Sequence, residues 1–163
     1  MGFELTELIH LFRIELTVFF MAAVPMVELR GAIPMGVALG MSPLHATIIS
    51  YLGSLLPAPF ILLWIKPVFD ILRNTRPFRR IVEKLTERSM NKSSPKVQRY
   101  GAWGLILLVA VPLPGTGVWS GSLAAALLNI PFKWAFLAIM VGNFLAAVAV
   151  MMLSDGVSRL WLW

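Results

Sequence analysis

Val24–Pro25–Met26–Val27–Glu28–Leu29–Arg30–Gly31–Ala32–Ile33–Pro34 is the stretch on which the reading of the whole chain turns. It sets a carboxylate and a guanidinium two residues apart in a strongly apolar region, bracketed by prolines and followed directly by glycine. Ionised side chains are expensive in hydrocarbon, so they face partners or a cavity and mark a pathway. Pro25, Gly31 and Pro34 interrupt a helix, and broken backbone at membrane depth survives only where protein or water covers it. The stretch reads as the tip of an interrupted helix lining a polar site.

The flanking runs are short. Leu16–Val27 is an uncharged run of 12 residues, about 18 Å of helix. Gly31–Met41 is a second run of 11 residues, ended by Ser42–Pro43. Crossing a bilayer takes about 20 residues, so the two together suit a re-entrant hairpin. The alternative is a spanning helix from about residue 8 to 27 followed by a kinked one. Phe3–Glu15 mixes Leu5, Leu8, Ile9 and Phe12 with Glu4, Glu7, Arg13 and Glu15, the pattern of a helix that lies at the interface and enters the bilayer. Its acidic bias is the reverse of a signal peptide's basic leader, so the first apolar segment is expected to stay in the mature protein.

Of the 163 residues, 58% are hydrophobic and 13% charged, and the mean hydropathy is +0.80. A soluble domain of this length cannot hide so much apolar surface, which makes an all-α integral membrane protein the expected class. The length fits a single membrane domain, 1–163, with no separate soluble catalytic domain. The absence of cysteine excludes thiol chemistry.

Pro43–Ile65 has spanning length, with Gly53–Ser54 near its middle and Pro57 and Pro59 placed to bend its second half. Lys66–Arg99 then holds ten basic residues against Asp70, Glu83 and Glu87, a net +7. Loop charge of this kind places the segment in the cytoplasm. Within it, Arg79–Met90 has the pattern of an amphipathic helix. Such charge serves topology and anionic lipid contact, and nucleic acid is not an expected partner. Gly101–Val111 and Val118–Ile130 form a second pair of short arms around Pro112–Leu113–Pro114–Gly115–Thr116–Gly117, and Pro131–Leu153 is again long enough to span. Trp161 and Trp163 suit an interfacial anchor.

Three landmarks recur in order. Val24–Pro25 returns as Val111–Pro112, Pro43 as Pro131, and Gly53–Ser54 as Gly142–Asn143, at offsets that drift only from 87 to 89. The chain thus divides into a first repeat (1–65), a basic linker (66–99) and a second repeat (100–163). Each repeat is a re-entrant hairpin plus one crossing. One crossing is odd, so the second copy is an inverted repeat of the first, as in many transporters. With the linker inside, both termini lie outside.

The candidate site residues follow from these tips. Arg30 sits at a helix start, where the dipole disfavours a cation, so an anion or Glu28 is expected beside it. Glu28 is also placed to carry a proton or sodium ion, because burial raises and Arg30 lowers its affinity for a proton. Gly31, Pro114, Gly115 and Gly117 allow close backbone approach, and the helix start after Gly117 suits a phosphate or carboxylate. Thr116 and Ser120 are placed to cap that helix or donate to a ligand. Ser54 and Asn143 are hydrogen-bonding neighbours near the midplane. The plain alternatives are a Gly/Pro turn and a structural Glu28–Arg30 pair. His10 and His45 lack metal-ligand spacing. No nucleophile–base pattern or Walker-type loop appears, so neither an enzyme nor a cofactor is expected.

Pro25–Met–Val–Glu28–Leu–Arg30–Gly31–Ala–Ile–Pro34 and Pro112–Leu–Pro114–Gly115–Thr116–Gly117 together resemble the small multidrug export protein family, a distant relative of the DedA/VTT membrane proteins. The resemblance covers roughly residues 20–155. It implies two opposed re-entrant hairpins and the transport or scrambling of lipids, including polyprenyl-phosphate carriers. DedA proteins carry arginine around the second Pro-Gly turn, and this chain has none there, so a phosphate site would rest on Arg30 and backbone N–H groups. The expected function is a transporter or flippase for an anionic amphiphile, with membrane lipids as partners and proton or sodium coupling. The alternatives are a cation-coupled exporter of small amphipathic compounds and a non-transporting scaffold. Self-association is left open.

Overall fold

The computed structural model describes residues 2–64, 95–111 and 116–161. Regular structure among them is entirely helical: α1 (Gly2–Ala23), α2 (Glu28–Ala38), α3 (Pro43–Leu55), α4 (Pro95–Ala110), α5 (Val118–Leu127) and α6 (Phe132–Trp161). The expected amphipathic helix at Arg79–Met90 lies outside the described residues.

α1 is one continuous helix of 22 residues, where the sequence suggested an interfacial piece leading into a shorter arm. α2 begins at Glu28, three residues before Gly31, and carries Pro34 inside it. As the seventh residue of the helix, Pro34 has no N–H to give the Arg30 carbonyl, yet the helix runs through both Gly31 and Pro34, which the sequence marked as breaks. α3 opens as its sequence foretold. Pro43 is its first residue, and the Ser42 Oγ accepts the His45 N–H at 3.4 Å. The helical ladder falters at Leu56, whose N–H reaches the Gly53 carbonyl at 3.2 Å. Pro57 has no N–H to give that carbonyl, so the residue before it supplies the bond. Helix then resumes to Trp64.

The chain forms two compact units, one made of Met1–Leu56 and Phe144–Trp163, the other of Pro57–Asn143. In the first, α1, α2 and α3 pack on one another. Their core holds Val18, Ala22, Ala32, Met41 and Ala46. A second cluster joins Leu29 and Ile33 of α2 to Ala146, Ala147 and Val150 of α6, with Tyr51 edge-on to Phe144 at 6.2 Å. In the second unit, α4 packs on α5. A Cβ on Gly121 would lie 2.5 Å from Val109 and 3.7 Å from Ile139, so glycine sets how closely these helices approach.

Local geometry recurs between the two halves of the sequence. At the end of α2 the N–H groups of Leu39, Gly40 and Met41 reach the carbonyls of Met35, Val37 and Gly36 at 2.9, 3.0 and 3.0 Å. At the end of α5, 89 residues on, Leu128, Asn129 and Ile130 reach Ala124, Ala126 and Ala125 at 2.9, 3.1 and 3.0 Å. The left-handed residue in each cap is Gly40 (φ 95) or Asn129 (φ 51), the two residue types that tolerate it best. Met41 and Ile130, which follow, are both buried. The long helices repeat as well. A Cβ on Gly53 would run into the Phe19 carbonyl, and one on Gly142 into that of Ile106, each six residues before the proline of its hairpin.

These crossings give a clean contrast. Gly53→Ala should lower the melting temperature in detergent by several degrees, because the obstacle is main chain and cannot turn aside. Gly104→Ala, which meets nothing within 4 Å, should leave it unchanged or raise it slightly, since alanine is the better helix former by about 1 kcal/mol. Equal effects at the two positions would contradict the packing described.

Candidate functional site

The first hairpin turns within four residues. Pro25 cannot offer an N–H to Met21, and the Val24 N–H bonds that carbonyl instead at 3.2 Å. Glu28 N–H returns to Val24 O and Gly31 N–H to Val27 O, each at 3.0 Å, so the break satisfies much of its own backbone. Val27, the residue before α2, contributes no side-chain cap. Gly31 matters sterically: a Cβ there would sit 2.7 Å from Val27 Cγ1.

Glu28 and Arg30 meet at this turn. Arg30 Nη1 donates to Glu28 Oε2 at 2.8 Å, with side-chain exposures of 15% and 9%. The anion expected beside Arg30 is thus supplied at least by Glu28. Leu29, Ala32 and Ile33 of the same helix are all buried. A charge-assisted bond this short, in low dielectric, is strong once formed, and its members are costly to separate. Ser54 is buried on α3 in the same unit and donates to the Tyr51 carbonyl at 2.9 Å.

The remaining candidates belong to the second unit. Pro114 and Gly115 lie outside the described residues. Thr116 does not cap α5. Its hydroxyl donates back to Val111 O at 2.8 Å and closes the turn across five residues. Ser120 donates to Gly117 O at 3.3 Å. Gly117 precedes α5 with φ 148 and ψ −156 and no side-chain cap, a conformation essentially confined to glycine. Asn143 is buried in α6.

Sequence reasoning missed two features. His45 Nε2 and Glu15 Oε1 lie 3.1 Å apart, joining α1 to the first turn of α3, with both side chains partly exposed. Only knowledge of where the hairpin returns reveals that pairing. Ser50 and Ser122 are fully buried, and their hydroxyls have no hydrogen-bond partner among the described residues. Those residues contain no group of three or more His, Cys, Asp or Glu suited to a metal ion.

Pro43–Trp64 and Phe132–Gly156 are helices of 22 and 25 residues, with mean hydropathies of 1.8 and 2.4 over an 18-residue stretch of each, long and apolar enough to cross a membrane. With the charged turn among apolar helices, they make the described residues all-helical with two candidate membrane spans. The chain belongs to the family described as "Putative small multi-drug export protein", whose model matches residues 28–149, roughly three quarters of it. The match begins at Glu28, and the family's name suggests a role in small multidrug export. No curated protein and no solved structure matches the chain.

A double-mutant cycle tests the pair's energetics. Glu28→Gln and Arg30→Gln should each destabilise the protein, by up to about 3–5 kcal/mol, because each takes the opposite charge away from the one that stays. The double variant should recover much of that loss in thermal unfolding. Additive losses would show that the two side chains are not coupled.

Proposed function

We propose that the protein is a membrane transporter with two re-entrant hairpins related as an inverted repeat, and that the Glu28–Arg30 tip binds the head group of an anionic amphiphile. A phosphate-bearing lipid, such as a polyprenyl phosphate or a phospholipid, fits that chemistry. The observation that carries the reading is the buried ion pair at a helix break. Buried pairs are poor devices for stability, and ionised groups at membrane depth belong to pathways.

Three further features support it. α2 has 11 residues, about 16 Å of helix, roughly half of a 30 Å hydrocarbon core. Its capped return at Leu39–Met41 leads directly into a helix of spanning length. Gly101–Phe132 contains no charged residue, so ionic recognition falls to the first hairpin, while the second offers backbone and apolar surface. That division suits a ligand with a charged head and a long tail. The basic segment 66–99 orients the chain with that segment in the cytoplasm and both termini outside. In this reading a substrate anion takes over Arg30 and releases Glu28, which then takes a proton or sodium ion and couples the two movements.

A second reading has one observation in its favour. The Glu28 carboxylate already holds a cation, the Arg30 guanidinium, so a cation-coupled exporter of small amphipathic compounds could use Glu28 as its ion site.

Thermal unfolding in neutral detergent separates these readings. Dodecyl phosphate should raise the melting temperature of the native protein, while dodecanol and inorganic phosphate should do so weakly or not at all. Arg30→Gln should abolish that response, and Arg30→Lys should restore only part of it, because lysine lacks the planar fork. A response to tetraphenylphosphonium alone, lost in Glu28→Gln, would favour the second reading. No response to either probe would favour a scaffold.

Topology is tested by single cysteines in this cysteine-free chain. Glu7→Cys and Ser42→Cys should be labelled from one face of the membrane and Lys92→Cys from the other. Labelling of Glu7→Cys and Ser42→Cys from opposite faces would show that the first hairpin crosses.

A further inference from the structure

Residues at i and i+2 of a regular helix do not face each other, yet Glu28 and Arg30 are bonded at 2.8 Å. The backbone of Glu28 makes this possible. Its φ of 47 places it in the left-handed region, which L residues other than asparagine and aspartate seldom adopt. Asn129 is the other described non-glycine residue with positive φ, and it occupies a helix cap that suits asparagine.

The second repeat supplies an internal comparison. The caps of α2 and α5 correspond at an offset of 89, and the same offset carries Glu28 onto Gly117. Gly117 also has positive φ, 148, and also stands at the opening of its helix. The two conformations differ, since Gly117 with ψ −156 lies in a region essentially confined to glycine. The second hairpin meets its positive φ with glycine, and the first meets its own, at φ 47, with a glutamate. Backbone outliers of this kind gather where function, not folding, selects the residue.

We propose that Glu28 is held against its own backbone preference, so that the first hairpin gives up folding stability to turn a carboxylate onto Arg30. This deepens the assignment of the pair as the ligand site and rests on it. The inference concerns Glu28 as the residue that positions Arg30. A glycine at 28 should relieve the backbone and lose the positioning.

Two double variants isolate the backbone effect, because both remove the same two charges. Glu28→Gly/Arg30→Gln should unfold about 2–4 °C above Glu28→Gln/Arg30→Gln, the shift that roughly one residue's left-handed strain gives in a protein of this size. Glu28→Asn/Arg30→Gln should fall between them. A glycine variant melting at or below the glutamine variant overturns the proposal. The positioning half is read with Arg30 intact: the shift induced by dodecyl phosphate should weaken several-fold in Glu28→Gly, with its pH dependence flattened. An unchanged shift and pH profile in Glu28→Gly overturns that half. If the native protein itself ignores dodecyl phosphate while the glycine double variant still melts higher, the ligand-site reading has failed and the strain has not.

Discussion

A main-chain carbonyl pressed against a glycine is the contact on which the rest of the structure depends. Phe19 lies against Gly53 in the first half of the sequence, and Ile106 against Gly142 in the second. Neither partner can yield, since one is backbone and the other has nothing left to remove. Each contact fixes the first arm of a hairpin on the long helix that follows it. The arm's position in turn sets where its turn lies. The buried polar residue directly after each glycine, Ser54 or Asn143, is held at the same crossing.

Above that crossing the first turn combines three costs: a proline break, a left-handed glutamate and a buried ion pair. The backbone cost is limited because Val24 and Glu28 return hydrogen bonds across the break. The electrostatic cost is limited because the charges meet within 2.8 Å. What is not offset locally is the conformation of Glu28, and this makes the turn more than a connection between two helices.

Much of this was legible before any coordinates. The short α2, the Ser42–Pro43 start of α3 and the two helices of spanning length follow from composition and proline placement, whereas the first arm, expected to be short, is part of a continuous 22-residue helix. The pairing of Glu28 with Arg30 was visible as one of two options, because an arginine at a helix start requires an anion nearby. Other features were out of reach. The start of α2 at Glu28 instead of Gly31 depends on one residue accepting positive φ, which no propensity scale anticipates for glutamate. Thr116 turns back to Val111 instead of capping α5 because a five-residue closure competes with the cap. The Glu15–His45 pair joins residues thirty apart, and it exists only because the arms in between have matched lengths. Fully buried serines read in sequence as ordinary small residues of a packed helix.

The two turns also differ in length. From Pro25 to Glu28 is three residues, and from Pro112 to Gly117 is five, while the arms and caps on either side stay in step. The differences in length and charge therefore fall at the turns, and the matching caps and glycine crossings lie outside them. A chain built this way behaves like a tool with a fixed handle and an exchangeable head. A handful of residues at one turn can change while the register of the helices around it is kept by glycines and caps elsewhere.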